Sequence, residues 1–252
     1  MNKRQLLALV PALMLAACGG SDDSFDDRAD IADPKVRLVH AIPAGPNVSL
    51  FRDNQPQGAE VSNMPYKGAS NYFDTERGDH VWDVRTTSSP AVTVGSQTFN
   101  TGTGNRYTLI AVPGAGSATG LVLIADPYNK SVASDDARVR LFHAAANAAG
   151  VDVYITAPTA SIANVSPNLS AGYQQTAPPS GADSIDLEAG SYTLRLTAAG
   201  TKTVLFTAPV TIPEDADWLL VPVPASVTPG DMTVLVVQSD MGAPVTELTN
   251  QP

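Results

Sequence analysis

The segment Val36-Arg37-Leu38-Val39-His40-Ala41 returns 103 residues later as Val139-Arg140-Leu141-Phe142-His143-Ala144. An internal repeat of this kind constrains the fold before any local pattern does. The register continues without a gap, because Val48-Ser49-Leu50-Phe51 aligns with Val151-Asp152-Val153-Tyr154. Both copies then carry a glycine-led segment, Gly78 to Thr86 and Gly190 to Thr197, and a segment opened by an aromatic, Tyr107 to Pro113 and Trp218 to Pro224. Each closes on an apolar run, at Asp126 or Asp240. The offset grows to about 111–114, so the second copy holds its insertions after its second strand. The chain duplicates a unit of about 100 residues, a size that supports its own core.

Each unit reads as strands. Val36-Arg37-Leu38, Trp82-Asp83-Val84-Arg85 and Tyr192-Thr193-Leu194-Arg195-Leu196 alternate apolar with polar, the period of a sheet with one wet face. Leu121-Val122-Leu123-Ile124 and Val234-Leu235-Val236-Val237 are continuous apolar runs of strand length, rich in β-branched residues, and so read as buried strands. About seven segments per copy, near 38–42, 47–52, 70–76, 79–87, 91–99, 105–113 and 119–126 in the first, predict an all-β protein of two tandem immunoglobulin-like antiparallel β-sandwich domains. A closed barrel is the alternative. The 20 Pro and 19 Gly suit short elements joined by turns.

The expected boundaries are 35–130 for the first repeat, 136–241 for the second and 242–252 for a C-terminal tail, with the polar segment Asn129 to Asp136 as the linker.

At the N-terminus Lys3 and Arg4 precede an uncharged run from Leu6 to Ala17. At about 1.5 Å per residue that run is too short for a membrane span, and 1–17 reads as a signal peptide. Leu15-Ala16-Ala17-Cys18, followed by Gly19-Gly20-Ser21, resembles the lipobox of bacterial lipoproteins. The resemblance implies cleavage before Cys18, lipid attachment to its thiol and sorting to the outer membrane; an ordinary secretory signal with a leftover thiol is the alternative. Residues 18–34, with six aspartates, read as an acidic, disordered tether. They do not fit a calcium loop, since from Asp22 the sixth position, which needs glycine, holds Asp27, and the twelfth holds Asp33. Without residues 1–17 the chain keeps 13 basic and 25 acidic side chains, a formal charge of −12. Such a surface repels phosphate backbones, so no nucleic-acid partner is expected.

His40 and His143 are the first candidates for a site, because the duplication keeps them in phase with Val36/Leu38 and Val139/Leu141 at a strand end. There an imidazole is expected to bond a loop carbonyl and pin the turn. With three His in all, no metal cluster is visible. Arg37 and Arg140 are the second repeat-equivalent pair. Gly114 to Gly120 is one residue too long for a dinucleotide fingerprint, and no Gly-x-Ser-x-Gly elbow occurs. Glu214, Asp215 and Asp217 read as a solvated loop tip. Tyr66, Tyr72, Phe73, Tyr128 and Tyr173 lie in or near irregular segments and are the candidate ligand-binding aromatics. Trp82, Tyr107, Tyr192 and Trp218 read as core.

The paired segments Val-Arg-Leu-Val-His-Ala with Asn47-Val48-Ser49-Leu50-Phe51, and Val-Arg-Leu-Phe-His-Ala with Gly150-Val151-Asp152-Val153-Tyr154, are similar to the opening strands of the bacterial "domain of unknown function 4397" family. Ala189-Gly190-Ser191-Tyr192 resembles its central Gly-aromatic strand. Two copies would cover about 35–241. The resemblance implies a secreted or surface-attached β domain and carries over no catalytic residue. The expectation is therefore a non-enzymatic lipoprotein, held at the outer membrane by its lipid, without cofactor or metal, and serving as an interaction or envelope-structural module. The alternatives are a carbohydrate- or peptide-binding lipoprotein and a hydrolase of unrecognised type. Its partner would be a protein or a glycan.

Overall fold

A computed structural model describes residues 29, 31–114, 119–128, 130, 134–238 and 243–251. The signal segment, Cys18 and the tether up to Asp30, save Ala29, lie outside the described residues. The protein is all-β. Among the described residues there is no α-helix, and the one helical turn is a 3-10 turn at Ala59–Val61. No helix among them is long and apolar enough to cross a membrane.

The first repeat comprises β1 (Lys35–His40), β2 (Val48–Arg52), β3 (Gln55–Pro56), β4 (Phe73–Asp74), β5 (Gly78–Thr86), β6 (Thr93–Thr101), β7 (Arg106–Pro113) and β8 (Thr119–Asp126). They form two sheets, β4-β1-β7-β8 and β3-β2-β5-β6. The second repeat comprises β9 (Ala137–Phe142), β10 (Gly150–Thr156), β11 (Leu169–Gly172), β12 (Thr176–Ala177), β13 (Ile185–Leu187), β14 (Gly190–Ala198), β15 (Val204–Ile212), β16 (Asp217–Pro224), β17 (Met232–Val237) and β18 (Val245–Leu248). Its sheets are β12-β9-β16-β17-β18, with β13 also on β9, and β11-β10-β14-β15. These are two-sheet sandwiches, not a closed barrel.

One pairing departs from the antiparallel expectation, and it does so in both copies. β1 runs parallel to β7, and β9 parallel to β16. A parallel neighbour needs a crossover, and here the strands of the second sheet provide it. The extra residues of the second copy fall in the loops 157–168 and 178–184. The segment expected to be a tail carries β18, which pairs antiparallel with β17. The end of the tether is also tied down: the Thr75 and Gly104 amides donate to the Pro34 and Ala32 carbonyls, and Arg77 pairs with Asp33 at 3.1 Å.

Each sandwich has its own core. Val36, Leu38, Leu50, Trp82, Val84, Tyr107 and Leu109 fill the first, and Val139, Leu141, Val153, Leu194, Leu196, Phe206, Trp218 and Leu220 the second. At Gly95 a Cβ would stand 2.7 Å from Leu121, so the bare backbone is what lets β6 close on β8.

A third core lies between the repeats. Val39, Ala41, Ile110, Val112 and Ile124 meet their repeat equivalents Phe142, Ala144, Val221, Val223 and Val237 there, together with Leu219 and Leu235. The period-2 alternation of β1 and β9 is as the sequence suggests, but the second face is not wet. Arg37 and Arg140 are 4% and 3% exposed, because the face they share with Val39 and Phe142 is covered by the other repeat. The apolar runs of β8 and β17 face a core on each side, which is why they lack alternation.

Candidate functional site

The two histidines sit at the ends of β1 and β9, fully buried, and make the same bonds. His40 Nε2 lies 3.1 Å from the Pro46 carbonyl and its Nδ1 accepts the Ile42 amide at 3.3 Å. His143 Nε2 lies 2.9 Å from the Ala148 carbonyl and its Nδ1 accepts the Ala145 amide at 3.4 Å. This pattern requires the neutral tautomer with the proton on Nε2, and both nitrogens are then used. Burial pushes both imidazoles below the ordinary histidine value, against the opposing effect of the carbonyl bond.

Each histidine also meets a tyrosine edge-on, His40 with Tyr66 at 6.3 Å and His143 with Tyr173 at 6.0 Å. Lys67 and Gln174, which follow these tyrosines, both take a left-handed backbone, with φ of 66° and 61°. The tyrosines then cross the seam reciprocally. Tyr66 Oη donates to the Pro224 carbonyl at 3.4 Å, and Tyr173 Oη donates to the Pro113 carbonyl at 2.7 Å. Pro113 and Pro224 end the equivalent strands β7 and β16, so the repeats face one another about a pseudo-two-fold axis, the geometry of an isologous interface. Burial, and the nearby Glu247 carboxylate, push the Tyr66 hydroxyl up to about 12.

The centre of the seam is charged. Arg138 donates to Asp126 at 2.6 Å and lies 3.6 Å from Asp217; Arg106 reaches Asp217 at 3.3 Å. Arg106 and Asp217 hold equivalent positions at the starts of β7 and β16, so the duplication has turned one site into an ion pair across the axis. The Tyr128 ring lies against Arg106 and Arg138, with guanidinium carbons 3.5 and 4.3 Å from its centroid. Burial alone would raise the Asp126 carboxyl, but Arg138 and Arg140 outweigh it and hold the group below the usual carboxylate range. Lys130 bonds Asp215 nearby.

Several sequence expectations change here. Of the three acids expected on a solvated tip, Glu214 is exposed and the Asp215 side chain stays 42% exposed while it holds buried Lys130, whereas Asp217 turns inward and closes an ion pair with buried Arg106. The five candidate ligand-binding aromatics do not converge. Tyr72 and Tyr128 are buried among the seam arginines, where their rings face guanidinium groups rather than a ligand. Phe73 packs against the first core. Tyr66 and Tyr173 belong to opposite ends of the seam. Trp82, Tyr107 and Trp218 are buried and Tyr192 packs on the second core.

Beyond these, sequence reasoning missed the pair of Asp53 with His80. The His80 Nδ1 is 2.7 Å from Asp53 Oδ2, and the other carboxylate oxygen accepts the Val81 amide at 2.9 Å. That amide and His80 lower the Asp53 carboxyl. The two residues are 27 apart and on no shared motif, so no spacing signals them. No third metal-ligating residue joins them among the described residues. One cleft opens at the Tyr66 end of the seam, about 510 Å³, lined by Pro43, Tyr66, Asn147, Pro224, Ser226 and Val227.

The fold and this site define an all-β protein of two sandwiches locked face to face, with its conspicuous polar residues spent on the seam and the turns. Residues 34–154 match the family described as Domain of unknown function (DUF4397), a stretch that takes in the first repeat and the first two strands of the second. No curated protein matches the chain.

Proposed function

We propose that this chain is a non-enzymatic lipoprotein, anchored to the outer membrane through Cys18, whose two β-sandwiches form one interaction or envelope-structural module. On this reading the second repeat is a second copy of the matched family. The observation that carries the proposal is the use of both framework histidines. Each imidazole has both nitrogens bonded to backbone, which leaves no lone pair for a metal or a proton transfer. The loops that follow them differ, Pro43-Ala44-Gly45-Pro46 against Ala146-Asn147-Ala148-Ala149, as suits a scaffold presenting different contacts.

Affinity capture from the native envelope with the full lipidated chain tests this. A protein partner retained at physiological salt is the expected result; catalytic turnover of an envelope substrate by the purified chain would refute it. The cleft beside Tyr66 favours one second reading, a carbohydrate- or peptide-binding lipoprotein, because an aromatic ring, two prolines and fully exposed Val227 give it an apolar wall. A glycan or free peptide in the capture would select that reading.

A further inference from the structure

The seam contains a space and a charge that the ion pairs leave over. Between the two sheets lies a cavity of about 10 Å³, walled by Arg37, Tyr72, Thr108, Asp126, Arg140 and Asp217. That is room for one particle the size of a water molecule. Arg37 reaches it from β1 and Arg140 from the equivalent place on β9, so the cavity straddles the pseudo-two-fold axis.

Arg37 is nearly inaccessible to solvent. Its Nε donates to Thr108 Oγ1 at 2.9 Å and the Tyr72 ring lies 4.3 Å from its guanidinium carbon. Its Nη1 has no hydrogen-bond partner, and among the described residues no carboxylate pairs with it. Arg140 spends its two Nη groups on the carbonyls of Pro178, Pro179 and Ala182, in the loop inserted only in the second repeat. Its nearest carboxylate oxygen, on Asp126, is 3.7 Å away, and its Nε has no partner. The two carboxylates on the wall are shared among other arginines, Asp126 between Arg138 and Arg140 and Asp217 between Arg138 and Arg106, so the counter-charge is missing at Arg37.

A buried guanidinium without a counter-charge is among the most costly arrangements in a protein interior. A water in the cavity would satisfy the free N–H groups but leave the charge. A small anion would do both. We infer that this cavity binds one single-atom monovalent anion of the halide class, chloride being the common one, between Arg37 and Arg140. The size of the space excludes carboxylates and phosphate. The anion is thus a ligand contributed to by both repeats, and it supplies the counter-charge that lets them close.

The full chain, unfolded by heat at constant ionic strength in chloride, bromide or gluconate, tests the site. Gluconate screens charges equally but is too large to enter. The melting temperature rises with halide concentration along a saturable curve, and a crystal grown in bromide shows an anomalous peak between Arg37 and Arg140. The variant Arg37→Gln loses the halide dependence; should it fail to fold, the native series and the bromide peak decide. Identical melting in chloride and gluconate with no bromide peak, a water alone in the cavity, overturns the inference. A halide shift with the peak elsewhere overturns it equally.

Discussion

Replacing Arg138 by Met removes the most connected charge in the seam while keeping most of its apolar stem. The substitution breaks the 2.6 Å bond to Asp126 and the 3.6 Å contact to Asp217. It leaves both carboxylates in place, and they are little exposed, with side chains at 9% and 12%. Removing one partner of a buried pair costs about 3–5 kcal/mol, because the survivor stays buried and uncompensated. Here each carboxylate keeps a second arginine, Arg140 at 3.7 Å from Asp126 and Arg106 at 3.3 Å from Asp217. The expected loss is therefore at the low end, about 3 kcal/mol. Urea unfolding at neutral pH, with midpoint and slope fitted separately, measures it. The acid limb gives a second reading. Asp126 is depressed in the fold, so its contribution is complete above the ordinary carboxylate value and disappears as pH falls through the lower, folded value. Arg138→Met shrinks that acid-dependent loss. Adding Asp126→Asn restores part of the stability, giving a coupling of about 1–3 kcal/mol. A change within about 0.5 kcal/mol, the size of a surface substitution, would refute a buried, charge-bonded seam.

Two further outcomes follow from the turns and the anchor. His40→Gln with His143→Gln lowers stability by about 1–3 kcal/mol and leaves surface binding intact; because both imidazoles are depressed, the native chain also loses stability as pH falls from about 6.5 toward their folded values, and the double variant flattens that slope in a pH series of thermal melts. Loss of a turnover or metal stoichiometry in the folded variant would contradict a structural role. Cys18→Ser abolishes lipid labelling and moves the chain out of the membrane fraction or leaves it unprocessed; a processed, membrane-bound variant would contradict the anchor.

The histidine turns were legible because three local facts agree: the duplication, the phase with Val36/Leu38 and Val139/Leu141, and the strand end. The seam was not. Alternation along β1 says that Arg37 leaves its own core, but it carries no information about what covers the other face. The pointers that existed were indirect. β8 and β17 are apolar on both faces, and Val39/Phe142 sit on the same face as the arginines. Asp217 looked like part of an acidic turn because its neighbours Glu214 and Asp215 are local, whereas its partner Arg106 is 111 residues away. Only the observation that Asp217 occupies the repeat position of Arg106 could have signalled a pair across the axis.

The central claim, that the two repeats form one body closed by this seam, is tested by the chain's two tryptophans. Trp82 is buried in the first core and Trp218 in the second, so Trp218→Phe and Trp82→Phe each leave one reporter of one repeat. Urea unfolding followed by fluorescence in the two variants, with circular dichroism alongside and referenced to the native chain, should give coincident transitions with one slope. Two separated transitions, with one repeat surviving the loss of the other, would contradict it.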